Sequence, residues 1–396
     1  MRQWLCLLAV LAVLALPAHA AWVWSEPQTV NAVQGAAIFP HIESANRQGV
    51  AISGDTVGVV WEDNRSGSPQ CYLATQSGPS AAFSAATRLS RGECFETVVV
   101  ALGGGRFVAA WEEAGRVHAQ LVPGGAIIKL TQIESAQVTL AVSGDRLYAA
   151  WVEQSGAYKR VVFAHLVVKS TNLKVHRVKP VENQSPRDEQ SWPALAVAGD
   201  GRVVLAWEDR RDRHSVPLVS VGQEGKPFSL PVRLTDMKSG PASGGLGAGT
   251  GAMRPTLTRW GKRGVAAVWL DKRDFLSGYD VYAALDDGVG RFGRNLKVQD
   301  SFGDNMSQWH ATVVGHASGQ LIALWDDARD GTSDVWLAEW NGEGFGDNVS
   351  IPAAAGAGAQ SDPVASLDSA GRLHVVWLDR DDQAVTRIRY VRGERR

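Results

Sequence analysis

Charge of one sign, long apolar runs and cysteine are all scarce in this chain, and each scarcity removes a class of protein. The formal charge is −1 over 396 residues, which leaves no electrostatic footprint for nucleic acid or for an anionic membrane surface. A long apolar stretch occurs once, from Trp4 to Leu16, and it is too short to span a bilayer. Arg2 precedes that stretch and Pro17-Ala18-His19-Ala20 follows it, a small-x-small ending that marks residues 1–20 as a signal peptide cut after Ala20. Cys6 lies near the start of the apolar run and not just after it, so no lipidation site is expected. The mature chain, residues 21–396, is expected to be periplasmic or extracellular, with no membrane span.

Cysteine numbers three in all, and only Cys71 and Cys94 belong to the mature chain. In an oxidising compartment the pair is expected as a disulfide, which contributes about 3 kcal/mol through loop closure. Their spacing is not C-x-x-C, which argues against a redox dithiol. Four methionines and no C-x-x-C-H give no haem site. H-E-x-x-H, zinc-type Cys/His spacing and the G-x-S-x-G elbow are also missing, so no cofactor and no metal are expected. Asp326-Asp327-Ala328-Arg329-Asp330-Gly331 has the outline of a calcium loop but lacks the middle acidic ligand, and Leu337 stands where the closing Glu belongs. Helical periodicity is nearly absent too, which leaves an all-β chain.

What the chain has in abundance is Trp (15) and Gly (42). Seven times an aliphatic run ends in Trp and turns acidic: Trp61-Glu62-Asp63, Trp111-Glu112-Glu113, Trp151-Val152-Glu153, Trp207-Glu208-Asp209, Trp269-Leu270-Asp271, Trp325-Asp326-Asp327 and Trp377-Leu378-Asp379. The tryptophans are 40 to 62 residues apart, the range of four-stranded propeller blades with variable loops. Within each unit a short strand, a Gly/Asp turn such as Ser143-Gly144-Asp145 and the Trp-ending strand read as a hairpin. A third strand such as Asp334-Val335-Trp336-Leu337-Ala338 and a fourth, shorter segment complete the unit. The expected fold is therefore one seven-bladed β-propeller domain of four-stranded antiparallel blades.

The termini bear on how the ring closes. The last unit stops after its third strand, Val385 to Val391, while Trp22 to Val30 is a strand-like piece that no unit claims. That piece is expected to complete the seventh blade and so remove the exposed edges of an open array. The repeated tryptophans are expected as core between blades.

In such a blade the loop after the second strand and the link into the next blade emerge on one rim. A recurring Asp-x-Arg lies there: Asp63-Asn64-Arg65, Asp209-Arg210-Arg211, Asp271-Lys272-Arg273 and Asp327-Ala328-Arg329, with Asp379-Arg380 as a shortened form. Read functionally, these Arg residues form a basic ring for an acidic glycan; but a motif copied around a ring builds the ring, and each Arg is expected instead to pair with an acid at the next strand start, such as Asp280 or Asp334. Residues that break the repeat are the better site candidates. On that rim these are His41, Glu43, Trp192, Arg254, Trp309 and His310, aromatic rings beside a cation and imidazoles, the set that stacks on a sugar and bonds its hydroxyls. Glu43 and His310 are the nominated acid/base groups. Ser239 to Gly251 forms a Gly-rich link into the fifth blade without the strand-then-helix setting of a phosphate cradle.

The runs Asp368-Ser369-Ala370-Gly371-Arg372-Leu373-His374-Val375-Val376-Trp377-Leu378-Asp379-Arg380 and Val268-Trp269-Leu270-Asp271-Lys272-Arg273 closing on Asp280-Val281-Tyr282 resemble the repeats of the sialidase-like, BNR-type propeller superfamily. The resemblance covers the whole mature chain and implies architecture. That superfamily includes glycoside hydrolases, polysaccharide lyases and non-catalytic binders, so fold does not choose among them. The early strand Ile38-Phe39-Pro40-His41-Ile42 lacks the Arg of a sialidase F-R-I-P segment, and Ser366 to Gly371 only shadows the Asp-box, its spacing off by one. Seven units in place of six is a further departure, and no catalytic residue is carried over. The expected role is binding of a glycan or a cell-envelope protein through the rim, with glycan cleavage at the channel mouth as the alternative.

Overall fold

The computed structural model describes residues 21–211, 214–223, 225–236, 251–273 and 278–396. The signal-peptide reading and nearly all of the Gly-rich link lie outside the described residues. Seven antiparallel sheets surround one axis. Six have four strands in sequence order from the axis outward, and the seventh pairs the first strands of the chain with the last.

That seventh sheet closes the ring. Trp22, Val23 and Trp24 pair with Arg395, Glu394 and Gly393, and Gln28 and Thr29 pair with Tyr390 and Arg389. Gly393 is required where it stands, since a Cβ there would come within 2.6 Å of the Trp24 ring. The outermost strand of the final blade is thus supplied by the opposite end of the chain, and the open edge of Thr386–Arg395 is covered.

Alternation within the strands produces the packing between blades. Aliphatic side chains on one face of a blade meet those of the preceding blade, and each such interface holds one of the seven tryptophans, as where Trp151 packs among Val98, Val108, Leu140 and Leu166. None of the seven is more than 1% exposed. Burial of one indole ring removes about 150–250 Å² from water, at most about 4–6 kcal/mol per blade at 25 cal/mol/Å². Cys71, on the third strand of the first blade, is bonded to Cys94 at the start of the second blade's inner strand, with Cα atoms 5.6 Å apart. The disulfide therefore ties two neighbouring blades.

The indole nitrogen explains the acid two residues after each Trp. Nε1 donates to that carboxylate in five blades: Trp61 to Asp63 at 2.7 Å, Trp111 to Glu113 at 2.9 Å, Trp207 to Asp209 at 3.1 Å, Trp269 to Asp271 at 2.9 Å and Trp325 to Asp327 at 2.9 Å. The Arg of Asp-x-Arg returns to the same carboxylate. Arg65, Arg211, Arg273 and Arg329 all bond the Asp two residues before them. The expected pairing with the next strand start is thus corrected, since Asp280 accepts from Gln299 and Asp334 from the Gly356 amide. Proximity decides this: an Arg at i+2 in a tight turn reaches its own Asp without crossing the loop. The guanidinium also stacks on the third strand, 4.2 Å from Tyr72, 3.9 Å from Tyr282 and 4.3 Å from Trp336. The motif is blade architecture, as its repetition implied.

The first blade departs from the expected pattern. His41 makes only an isolated bridge to Glu62, and the regular inner strand is Val50–Ser53. Between them the chain turns into the central channel through a single 3-10 turn, Ala45–Arg47. Asn46 there donates to the Leu195 carbonyl at 3.2 Å and accepts from the Leu257 amide at 2.7 Å, while Gln48 bonds the Leu140 amide and carbonyl at 2.8 and 2.6 Å. Arg47 donates to the Pro363 carbonyl at 3.1 Å. One loop thus satisfies polar groups of the third, fourth, fifth and seventh blades and plugs the channel.

Candidate functional site

Six inner strands share a local device that faces the mouth above this plug. Each carries one non-glycine residue in the left-handed region: Glu96 (φ 52°), Gln137 (φ 57°), Trp192 (φ 51°), Arg254 (φ 56°), His310 (φ 51°) and Asp362 (φ 58°). The ladder shifts register at each of these points, the signature of a β-bulge that re-aims a side chain. An L-residue in that conformation costs about 1–2 kcal/mol, so the surroundings must hold it. Pro193, Pro255 and Pro363 follow three of them, placed where the broken ladder needs no N–H.

The bulge amides are held by the preceding blade. The Trp192 amide donates to Gln137 Oε1 at 2.8 Å, that of Arg254 to Glu208 Oε1 at 2.6 Å and that of Asp362 to Asp326 Oδ1 at 3.0 Å. Glu208 and Asp326 are the acids directly after their tryptophans, opposite Ser191 and Trp309 in the ladder. Glu62 and Glu112 occupy the equivalent position, whereas Val152, Leu270 and Leu378 fill it in the other three blades. The ring is therefore built by a repeat and made asymmetric at this one position.

The six side chains nominated from sequence lie at this mouth. Glu43, Trp192, Arg254, Trp309 and His310 line one cavity of about 170 Å³, and His41 stands beside it with Nε2 3.8 Å from Glu43. Arg254 stacks on Trp192 at 3.2 Å and pairs with Glu43 at 2.8 Å. Trp309, 40% exposed, leans on Tyr279 at 5.2 Å and presents the open aromatic surface of the cavity. His310 is held between Asp326, 2.7 Å from Nδ1, and Asp362, 3.3 Å from Nε2. His41 Nδ1 lies 2.5 Å from Glu62.

These contacts set the charge states. Burial opposes a charge on His310 and on His41, but hydrogen bonds and nearby carboxylates (Asp326 and Asp362, and Glu62) outweigh it and raise both pKa values. Burial likewise works against Asp362, yet His310 and Arg47 hold its carboxyl below the usual range. Glu96 behaves oppositely: burial, reinforced by the charge of Glu112, pushes it up to about 8. Burial also raises Glu112 and Glu208. At neutral pH the mouth thus holds a protonated carboxyl at Glu96, with Oε2 buried and without a hydrogen-bond partner among the described residues.

Each of these four basic groups of the mouth already faces a carboxylate: Arg254 Glu43, Arg47 Asp362 at 3.7 Å, His41 Glu62 and His310 Asp326. Among the residues that line the cavity Glu43 is the one carboxylate, beside Arg47, Arg254 and His310, and the acids that face these groups stand around it. His310 is held by Asp326 and Asp362, which favour its protonated form, and Glu43 is engaged by Arg254. Glu96, Gln137, Asp362 and the plug residues were missed from sequence. Their signal was register: the six bulge residues stand 15 residues ahead of their Trp, 14 for Gln137.

No protein-family model matches the sequence, and no curated protein matches it closely enough to count as a relative. Among solved structures, a protein of unknown function from Dyadobacter fermentans is similar over 95% of this chain and 99% of its own, with a TM-score of 0.58 at 9% identity. A polysaccharide lyase is similar over 93% of this chain and 92% of its own, with a TM-score of 0.57 at 11% identity. At such identities the likeness speaks for fold alone, which the sheet order gives as a seven-bladed β-propeller.

Proposed function

We propose that the chain is an exported propeller that binds a neutral or amine-bearing glycan in the mouth of its plugged channel. The observation that carries this reading is the convergence of Trp192, Arg254, Glu43, Trp309 and His310 on one cavity. An aromatic ring offers the apolar face of a sugar a surface, and fixed carboxylates accept its hydroxyls or an ammonium. An acidic sugar finds every cation there already paired. The Cys71–Cys94 disulfide supports export, and among the described residues no helix is long and apolar enough to cross a membrane.

The test is a glycan array probed with wild type, Trp192→Ala and Trp309→Ala, followed by titration calorimetry on the hits. Either substitution is expected to weaken binding of a neutral or amino sugar at least about tenfold, the loss of a stacked ring of roughly 1.5 kcal/mol or more. Equal retention by all three proteins, or retention of envelope proteins and no glycan, would overturn the proposal.

A second reading, cleavage of the bound glycan, is favoured by Glu96, because a carboxyl near pKa 8 is protonated at neutral pH and able to donate to a leaving oxygen. Release of new reducing ends or unsaturated termini from a bound glycan, lost in Glu96→Gln with binding intact, supports it. No product from any bound glycan removes it.

A further inference from the structure

The third blade breaks the repeat on its outer side. In five other blades the fourth strand has two residues, as in Thr87–Arg88 or Val232–Arg233. Here it has nine, Asn172–Pro180, and it forms a long hairpin with Tyr158–Lys169. From Tyr158 to Pro180 the sequence holds Lys159, Arg160, Lys169, Lys174, Arg177 and Lys179, two histidines and no Asp or Glu. A segment so uniformly basic in a chain of net charge −1 is a local feature of this blade.

Register gathers its side chains on one face. Tyr148 pairs with His165, Phe163 with Lys179, and His165 with Arg177, and directly opposed residues project to the same side of a sheet. A bulge between His165 and Leu166 inserts His176 as an extra residue, and its ring meets that of His165 edge-on at 5.6 Å. This face packs on the fourth blade near the axis, where Tyr148 and Phe163 join its core. Because the hairpin outruns its neighbour, the outer part of the face is left uncovered.

The result is a cavity of about 250 Å³ with an aromatic floor and a basic wall. Phe228, from the fourth blade, meets Phe163 edge-on at 5.3 Å, and Tyr148 stacks on Phe163 at 5.5 Å. Lys179 Nζ lies 4.8 Å above the Phe228 ring and donates to the Lys226 carbonyl at 2.8 Å. Burial and the neighbouring Arg177 lower the pKa of Lys179. Among the described residues no ion pair joins Lys174, His176 or Arg177 to a carboxylate, and no carboxylate lines the cavity.

We propose that this cavity is a second ligand site, for an anionic sugar unit, a pyranose bearing a carboxylate or sulfate on an acidic glycan. The ring lies on the Phe228 and Tyr148 side, and the anionic group meets His176, Arg177 and Lys179. The basic groups of the channel mouth each face a carboxylate, whereas no carboxylate among the described residues lines this cavity, so the two sites differ in the ligand charge they accept. A cavity of this size takes one sugar residue rather than a flat membrane surface, which would need the charge spread over an open plane.

The test is calorimetric titration of the full mature chain with a sulfated hexasaccharide, a uronate hexasaccharide and a neutral maltohexaose. Anionic vesicles and inorganic sulfate serve as comparison arms. The expected result is binding of one or both acidic oligosaccharides, weakened at least about tenfold by Lys179→Ala and by Phe228→Ala and unchanged by Arg106→Ala, an exposed cation on the second blade. Circular dichroism identifies a variant that fails to fold, and His176→Gln then replaces it. Equal affinity for maltohexaose, equal loss in Arg106→Ala, or retention on vesicles without oligosaccharide binding would each overturn the assignment, as would insensitivity to Phe228→Ala. Trp192→Ala leaves this binding intact if the two sites are separate, so failure here is distinguishable from failure at the mouth.

Discussion

Asp327→Ala in the sixth blade is expected to destabilise the protein by about 3 kcal/mol, and the estimate follows from what the carboxylate holds. Its side chain has no exposure, and it accepts from Trp325 Nε1 at 2.9 Å, the Arg329 amide at 3.1 Å and Arg329 Nε at 2.9 Å. Removal strands a buried indole N–H and a guanidinium that is only 5% exposed. Breaking one partner of a buried pair costs about 3–5 kcal/mol. Asp300 at 3.2 Å and Asn348 at 3.1 Å remain to compensate Arg329, which places the cost at the lower end. The seventh blade supplies an internal control. Trp377 Nε1 has no hydrogen-bond partner among the described residues, and Asp379, 27% exposed, accepts from Gln360 at 3.1 Å and lies 4.0 Å from Arg389. Asp379→Ala should therefore cost only about 1 kcal/mol. Urea unfolding followed by indole fluorescence and far-ultraviolet dichroism reads both values, provided the two transitions coincide. Equal costs within about 0.5 kcal/mol, the usual noise of such comparisons, would refute the argument that Asp-x-Arg builds blades.

Further expectations follow from the charge states and the closure of the ring. His310 has a raised pKa, so its contribution to stability is fully present below about pH 6.5 and is lost as pH rises through the raised value; His310→Gln should cost more at about pH 6 than at about pH 8.5, read from urea midpoints. Asp362 has a lowered pKa, so its contribution is present above about pH 3.8 and fades as pH falls through the lowered value, which brackets the window in which the pair is strongest. Glu96 penalises the folded state increasingly from its ordinary range up to about pH 8, where it ionises; Glu96→Gln should gain on wild type across that interval and hold its advantage above it. Cys71→Ala/Cys94→Ala should lose about 3 kcal/mol in the same assay. Deletion of residues 21–30 uncovers the edge of Thr386–Arg395, and light scattering should then report association that the intact chain does not show.

Sequence and structure agree where the physics is local or periodic. The seven tryptophans, the Gly/Asp hairpin turns and the strand-like Trp22 to Val30 each act over a few residues, and all recur as expected in the sheets. The Asp-x-Arg loops were legible as architecture because repetition around a ring implies a shared structural role. Their actual partner was not, since it depends on a turn tight enough to fold Arg back on its own Asp. At the mouth, His41, Glu43, Trp192, Arg254, Trp309 and His310 stood out because they interrupt the repeat. Glu96, Gln137 and Asp362 resemble ordinary polar strand residues until the bulge register is known.

The spacing of Trp and the alternation of aliphatic side chains determined by themselves that this chain forms a ring of seven sheets, because burying seven indoles between amphipathic blades requires neighbours on both sides. Only the tertiary structure decided which charges meet. The left-handed bulges, the detour of Ala45–Arg47 into the channel and the overhang of Asn172–Pro180 bring together residues as distant as Glu43 and Arg254 or Arg47 and Asp362. The energy of such contacts depends on angstrom-scale separation and shared burial, and neither is encoded in the order of residues along any one strand.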